Sequence, residues 1–169
     1  MGRKILLVAV FAIAFGFVEA AVVVYLRTLI RASLPELGED KILLILPGIA
    51  FLEPRAAVEI IRDTTILRVE MIREVATLVM LGTVGLLLGR SLRERVSFFF
   101  LTFSIWDLFY YLFLRLAIGW PASLGDLDIF FLLPTPWVGP VIVPIFASIV
   151  IFVITFFFLF KCYTKPLSA

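Results

Sequence analysis

Four apolar runs, at about 5–30, 68–89, 96–118 and 139–160, each reach or exceed the roughly 20 residues that a helix needs to cross a ~30 Å hydrocarbon core. No water is present in that core to satisfy a backbone N–H or C=O, so a run of this length is expected to fold as a helix. The rest of the chain agrees: it is 63% hydrophobic with a mean hydropathy of +1.15, where soluble domains hold about 45–50% apolar residues. The expected fold class is therefore all-α integral membrane, with four transmembrane helices in a single domain over residues 1–169.

The segments between the runs refine this picture. KILLILPGIAFLEP separates the first two, and its apolar core at 42–52 is too short to cross and is interrupted at Pro47-Gly48. It reads as a re-entrant or interfacial segment, and residues 55–67 as a helical lead-in to the second span. WPASLGDLDIFFLLPTPWVGP joins the last two spans as a Pro-rich outer loop. Pro121, Pro134, Pro136 and Pro140 exclude a regular helix there, and Trp120 and Trp137 suit a membrane–water boundary. The loop is expected to be a structural cover. The MGRK start resembles a signal peptide, but the apolar run behind it is too long, contains Glu19 and lacks a small-x-small site, so it is read as a retained span.

Orientation follows from the short loops. GRSLRER, between spans two and three, carries Arg90, Arg93 and Arg95, whereas the loop between spans three and four has no lysine or arginine. With Arg3, Lys4, Lys161 and Lys165 near the ends, both termini are expected in the cytoplasm of a multi-pass inner (plasma) membrane protein. Loop one is mixed, with Arg31, Lys41, Arg55 and Arg62 interleaved with acids.

Absent residue types exclude whole chemistries. Without histidine there is no imidazole metal site and no Ser–His or Cys–His nucleophile, and no lysine lies inside a span to stand in. Cys162 is alone, so an internal disulfide and a CxxC pair are excluded, and it reads as a helix end. Asparagine and glutamine are missing. No basic run is long enough to suggest nucleic acid.

Charge at membrane depth is the chemical signal. In RVEMIREVATLVML, Glu70, Glu74 and Thr77 fall within about 60° of one another on a helix, with Arg73 on the flank. Glu59 and Asp63 join that stripe if the helix continues upstream. Span one adds Glu19, with Gly16 one turn earlier allowing a close helix approach. In span three, Ser104, Asp107, Tyr110 and Tyr111 share a face. At ~1.5 Å per residue from the cytoplasmic ends, Glu19 lies at roughly 21 Å, Glu74 at roughly 24 Å and Asp107 at roughly 16 Å.

An ionised group at the bilayer centre costs about 2.5–3.5 kcal/mol, so these residues are expected to face inward. Glu19, Glu74 and Asp107 are expected to line one pocket with Arg73 and Tyr111. One reading is a structural knot that fixes helix register. The other is a site: Glu19, Glu70, Glu74 and Asp107 outnumber Arg73, while Arg27 and Arg115 lie nearer the outer edge. Surplus acids must hold protons or a cation. The candidate site is thus Glu19, Glu70, Arg73, Glu74, Thr77, Ser104, Asp107, Tyr110 and Tyr111. No cofactor is demanded; a hard divalent cation such as Mg²⁺, Ca²⁺ or Mn²⁺ suits these oxygen ligands, with Glu19, Glu74 and Asp107 as the metal set. Asp126-x-Asp128 reads as a solvated turn, and the FFF runs at 98–100 and 156–158 as lipid-facing or packing surface.

Three function classes follow: binding or transport of a small cation or protonated solute through an outward-facing carboxylate/Arg/Tyr site; a structural or accessory subunit; and a membrane-embedded enzyme acting on a lipid or lipid-phosphate head group. Expected partners are the lipid bilayer and either further copies of the chain or a membrane partner subunit.

EMIREVATLVML, WDLFYYLFLR, GWPASL and LLPTPWVGPV together resemble a family of small prokaryotic integral membrane proteins with E-x-x-R-E-x-x-T, W-D-x-x-Y-Y and P-x-P-W-x-G-P motifs. From FGFVEAAVVVYLR onward the resemblance covers most of the length; it implies a membrane protein and brings no activity with it. The topology is directly testable. With Cys162 replaced, a cysteine placed at Ser123 should react with an impermeant thiol reagent applied outside the cell, and one at Ser91 should not; the reverse pattern would invert the orientation.

Overall fold

The computed structural model describes residues 2–29 and 41–164; Arg31 and Lys165, used above for orientation, lie outside them. Four helices are long and apolar enough to cross a membrane: α1 (Gly2–Leu29), α3 (Thr64–Leu88), α4 (Leu92–Ile118) and α5 (Ile142–Thr164). Their starts have local causes. Asp63 Oδ1 accepts the N–H of Thr65 at 2.8 Å and of Ile66 at 3.1 Å, so α3 opens at Thr64, earlier than the expected 68. Ser91 Oγ caps α4 by accepting the Glu94 N–H at 3.3 Å. The last helix starts later than expected, because 137–140 belong to a strand.

The chain forms two compact units, each assembled from separated segments. The first comprises Met1–Ala20, Val79–Phe113 and Ile145–Ala169. Its core includes Val8, Ala12, Phe15, Phe98, Leu101, Ile105 and Leu159. Lipid offers no hydrophobic drive for helices to associate, so close packing at small residues must supply it. Ala12, Gly16 and Ala20 recur every four residues on α1 and are all buried. A Cβ on Gly16 would lie 2.9 Å from the Trp106 carbonyl oxygen and 3.2 Å from the Tyr110 nitrogen, so only hydrogen lets the two backbones meet there. Rings fill the flanks, with Phe15 stacked on Trp106 at 6.2 Å and Phe17 edge-on to Phe113 at 5.4 Å. Some hydroxyls are satisfied within their own helices, as in Thr102 to Phe98 O (2.6 Å) and Thr155 to Ile151 O (2.7 Å). The FFF runs divide by position: Phe98 is fully buried, whereas Phe100 and Phe157 are exposed.

The second unit comprises Ala21–Leu78 and Leu114–Pro144, and here the all-α expectation needs an addition. Residues 42–52 form a β-hairpin, β1 (Ile42–Leu46) and β2 (Ile49–Leu52), turning at Pro47-Gly48 with Gly48 at φ 83°. The Pro-rich loop supplies β3 (Leu127–Phe131) and β4 (Trp137–Pro140), giving an antiparallel sheet ordered β1-β2-β4-β3. A segment too short to span by itself must still pair its backbone, and strand pairing achieves this in few residues. The β2–β4 contact, Ala50 opposite Val138 and Phe51 opposite Trp137, joins parts of the chain far apart in sequence.

The expected continuous lead-in to α3 is also corrected. A five-residue helix, α2 (Ala56–Ile60), ends where Ile61 turns extended (φ −124°, ψ 99°), so Glu59 and Asp63 do not extend the stripe. Ile61 is drawn into a cluster with Ala57, Ile60, Leu67 and Leu132. Glu59 instead pairs with Lys41 at 2.7 Å. The turn between α4 and β3 behaves as a solvated turn at Asp126, whose carboxylate accepts Ser123 Oγ (2.7 Å) and the Ala122 N–H (2.7 Å). The Ser123 hydroxyl, backed by backbone N–H groups, holds that carboxyl below its usual range. A lowered folded value means this closure is fully supported above the unfolded pKa of about 3.9 and is lost as pH falls through the folded one.

The Gly16 crossing sets a sharp contrast. Gly16→Val should lower the melting temperature in detergent, at a cost of about 1–3 kcal/mol from overpacking against backbone. Gly82→Ala, with nothing within 4 Å of the new methyl, should be neutral or slightly stabilising.

Candidate functional site

Every candidate carboxylate is buried, and each unit holds its own set. In the second unit α3 presents Glu70, Arg73 and Glu74 by helical spacing. Glu70 is 6% exposed and grips Arg73 with both oxygens: Arg73 Nε donates at 2.9 Å, and Nη2 donates to the other oxygen. The fork geometry makes this a strong local pair one turn apart. Glu74, also 6% exposed, accepts the Leu132 N–H at 2.8 and 3.0 Å and the Leu133 N–H at 3.2 Å. The cause lies in the loop: Leu132 follows the end of β3, and Pro134 and Pro136 bring no N–H of their own to continue the ladder. The carboxylate thus completes the backbone pairing of a chain turning away from its sheet. Thr77, one turn on, is fully buried.

Two further ties in this unit were not among the expected site residues. Arg27 Nη2 donates to Asp128 Oδ1 at 2.8 Å, and its guanidinium lies over the Trp120 ring, 3.5 Å from the centroid. Asp128 is 3% exposed, so the solvated-turn reading of the D-x-D pair fails at its second member. Alternation along β3 turns Asp128 inward, and the only sequence signal was an arginine at the matching end of the first span. Arg115 Nη1 donates to Gly119 O and, at 2.8 Å, to Pro121 O.

In the first unit, α1 brings Glu19 (5% exposed) and α4 brings Ser104, Asp107 (8%) and Tyr111 (4%) on one buried face. Ser148 Oγ of α5 donates to Asp107 Oδ2 at 2.8 Å. Sequence reasoning missed Ser148, although a hydroxyl within the most apolar span was a usable signal. Glu19 lies one turn beyond the Gly16 crossing, where α1 meets α4 between Trp106 and Tyr110. Ser104 Oγ donates to Leu101 O at 3.0 Å, and the Tyr110 and Tyr111 rings meet at 4.9 Å. The Trp106 indole N–H, beside them in sequence, is buried with no hydrogen-bond partner among the described residues.

Glu19, Asp107 and Tyr111 therefore belong to one unit, and Arg73 and Glu74 to the other. Among the described residues no group of three Cys, Asp or Glu side chains is placed to hold a metal ion. Comparison with protein-family models, with curated proteins and with solved structures finds no match to this chain. Functional reading therefore rests on its own residues.

The Glu74 contact predicts a graded response. Glu74→Ala strands two amides and should cost about 1–3 kcal/mol. Glu74→Gln keeps one acceptor and should cost less. Thermal unfolding in detergent, with hydrogen exchange at the Leu132 and Leu133 amides, reads both; equal losses would detach the carboxylate from this role.

Proposed function

We propose that this is an integral membrane protein that binds, and carries across the bilayer, a small cation or protonated solute, with Asp107, Ser148 and Glu19 as the oxygen ligands. The observation that carries the reading is the burial of four acidic side chains at positions within the apolar helices. Glu19, Glu70, Glu74 and Asp107 are 5–8% exposed, and the half-buried cation among these helix positions is Arg73. Arg27 answers Asp128, and Arg115 is turned to loop carbonyls. Carboxyl groups buried at span positions are costly to keep ionised, which favours a proton or a cation as their company. In the second unit Glu70 and Glu74 already serve an internal ion pair and the loop backbone. Ligand chemistry is therefore assigned to the first unit, where the carboxylate meets a serine hydroxyl and hard-cation oxygen chemistry is available. The proposed orientation keeps both termini cytoplasmic in the plasma membrane, supported by the gathering of Arg3, Lys4, Arg90, Arg93 and Arg95 at the start of α1 and the α3–α4 turn.

A structural or accessory role is the second reading, favoured by Glu74, whose carboxylate is spent on backbone amides. Thermal unfolding in detergent separates the two. If a cation binds the folded protein, Na⁺, Mg²⁺, Ca²⁺ or Mn²⁺, or a change of pH, should raise the melting temperature by mass action. Asp107→Asn and Glu19→Gln should fold and erase that shift. No shift under any of these conditions, with strong destabilisation by both isosteric changes, would establish the structural role instead.

A further inference from the structure

The end of the first unit where α1 begins and α3 turns into α4 carries cations set directly on an apolar surface. Lys4 Nζ donates to Leu88 O at 2.8 Å, which fastens the start of α1 to the end of α3. The turn itself is tight: a Cβ on Gly89 would lie 2.6 Å from Arg95 Cα, and Arg95 Nε donates back to Gly89 O at 3.2 Å. Glu94, the acid of this stretch, is held by the cap, accepting the Arg90 N–H at 2.9 Å. Five cations, Arg3, Lys4, Arg90, Arg93 and Arg95, are thereby gathered against one anion, and the four arginines among them are exposed. Leu87 is 79% exposed, Leu92 75%, Leu6 62% and Leu7 56%, an apolar collar immediately beside the charges. The N-termini of α1 and α4 at the same end add backbone N–H groups suited to an anion.

We propose that this end of the unit binds anionic phospholipids, the arginines taking the headgroup phosphates while the leucine collar takes the upper acyl chain. Free phosphate would satisfy the arginines but leave the leucines in water, so the lipid is the occupant that matches both chemistries. This inference is independent of the cation reading above.

The test reconstitutes the full chain in discs of phosphatidylcholine with or without phosphatidylglycerol, and measures lipid retained on the protein by native mass spectrometry. Phosphatidylglycerol should be retained in preference, and the preference should weaken as NaCl rises from about 0.05 to 0.5 M. Combined Arg3→Gln, Arg90→Gln and Arg93→Gln, which leave the Gly89–Arg95 contact and the Ser91 cap in place, should reduce that retention about ten-fold. If the triple variant does not fold, Arg93→Gln alone should give a smaller loss in the same direction. Equal retention of the two lipids, retention unchanged by the substitutions, or displacement of phosphatidylglycerol by an equal concentration of inorganic phosphate would each overturn the proposal.

Discussion

A backbone N–H that leaves water must find an acceptor, and this one requirement organises the whole chain. Four apolar segments meet it within themselves, as helices. The shorter apolar pieces at 42–52 and 127–140 meet it by pairing as strands. Where β3 ends and the prolines interrupt the ladder, Glu74 meets it with a carboxylate that reaches from α3 to two consecutive amides. A charged side chain inside an apolar span thus has a structural reason before any functional one is invoked. Its burial would be costly in isolation, and the amide donors offset that cost.

Packing follows a different rule in each unit. The first contains helical segments that approach through absent side chains: Gly16 admits the α4 backbone, and Gly85 sits 3.2 Å, by its notional Cβ, from the Phe99 Cβ. Other large residues there, such as Leu87 and Phe157, are exposed. The second unit holds a small conventional core under its sheet, in which Leu52, Ala56 and Val138 cluster, with polar ties at its margin. Arg27 illustrates those ties, since one guanidinium serves Asp128 and lies on the Trp120 face at once. The same group would be expensive if Asp128 were removed, because the pair is only useful intact.

The division of carboxylates bears on function. Glu70 and Glu74 have partners whose removal would expose unpaired donors, which is the behaviour of a knot. Asp107 instead accepts a hydrogen bond from Ser148, a serine on another helix. The sequence treated these acids as one cluster; the structure distributes them between two units with different partners.

Much was legible in the residues alone. Span length and hydropathy determined the four long helices, because hydrocarbon leaves a lone segment no other way to satisfy its backbone. Spacing determined that Glu70 and Glu74 would share a stripe with Arg73 on its flank, that Ser104, Asp107 and Tyr111 would share a face, and that Gly16 marked a close crossing, because these depend only on helical geometry. The tertiary structure alone decided the rest. That 42–52 is a hairpin and not a lone interfacial segment depends on β4, some ninety residues away, arriving to pair with β2. That Glu74 binds amides, that Asp128 turns inward to Arg27 and that Ser148 meets Asp107 depend equally on contacts distant in sequence. Local periodicity carries no information about which distant backbone will need an acceptor; only the folded chain brings the unpaired group and its partner within reach.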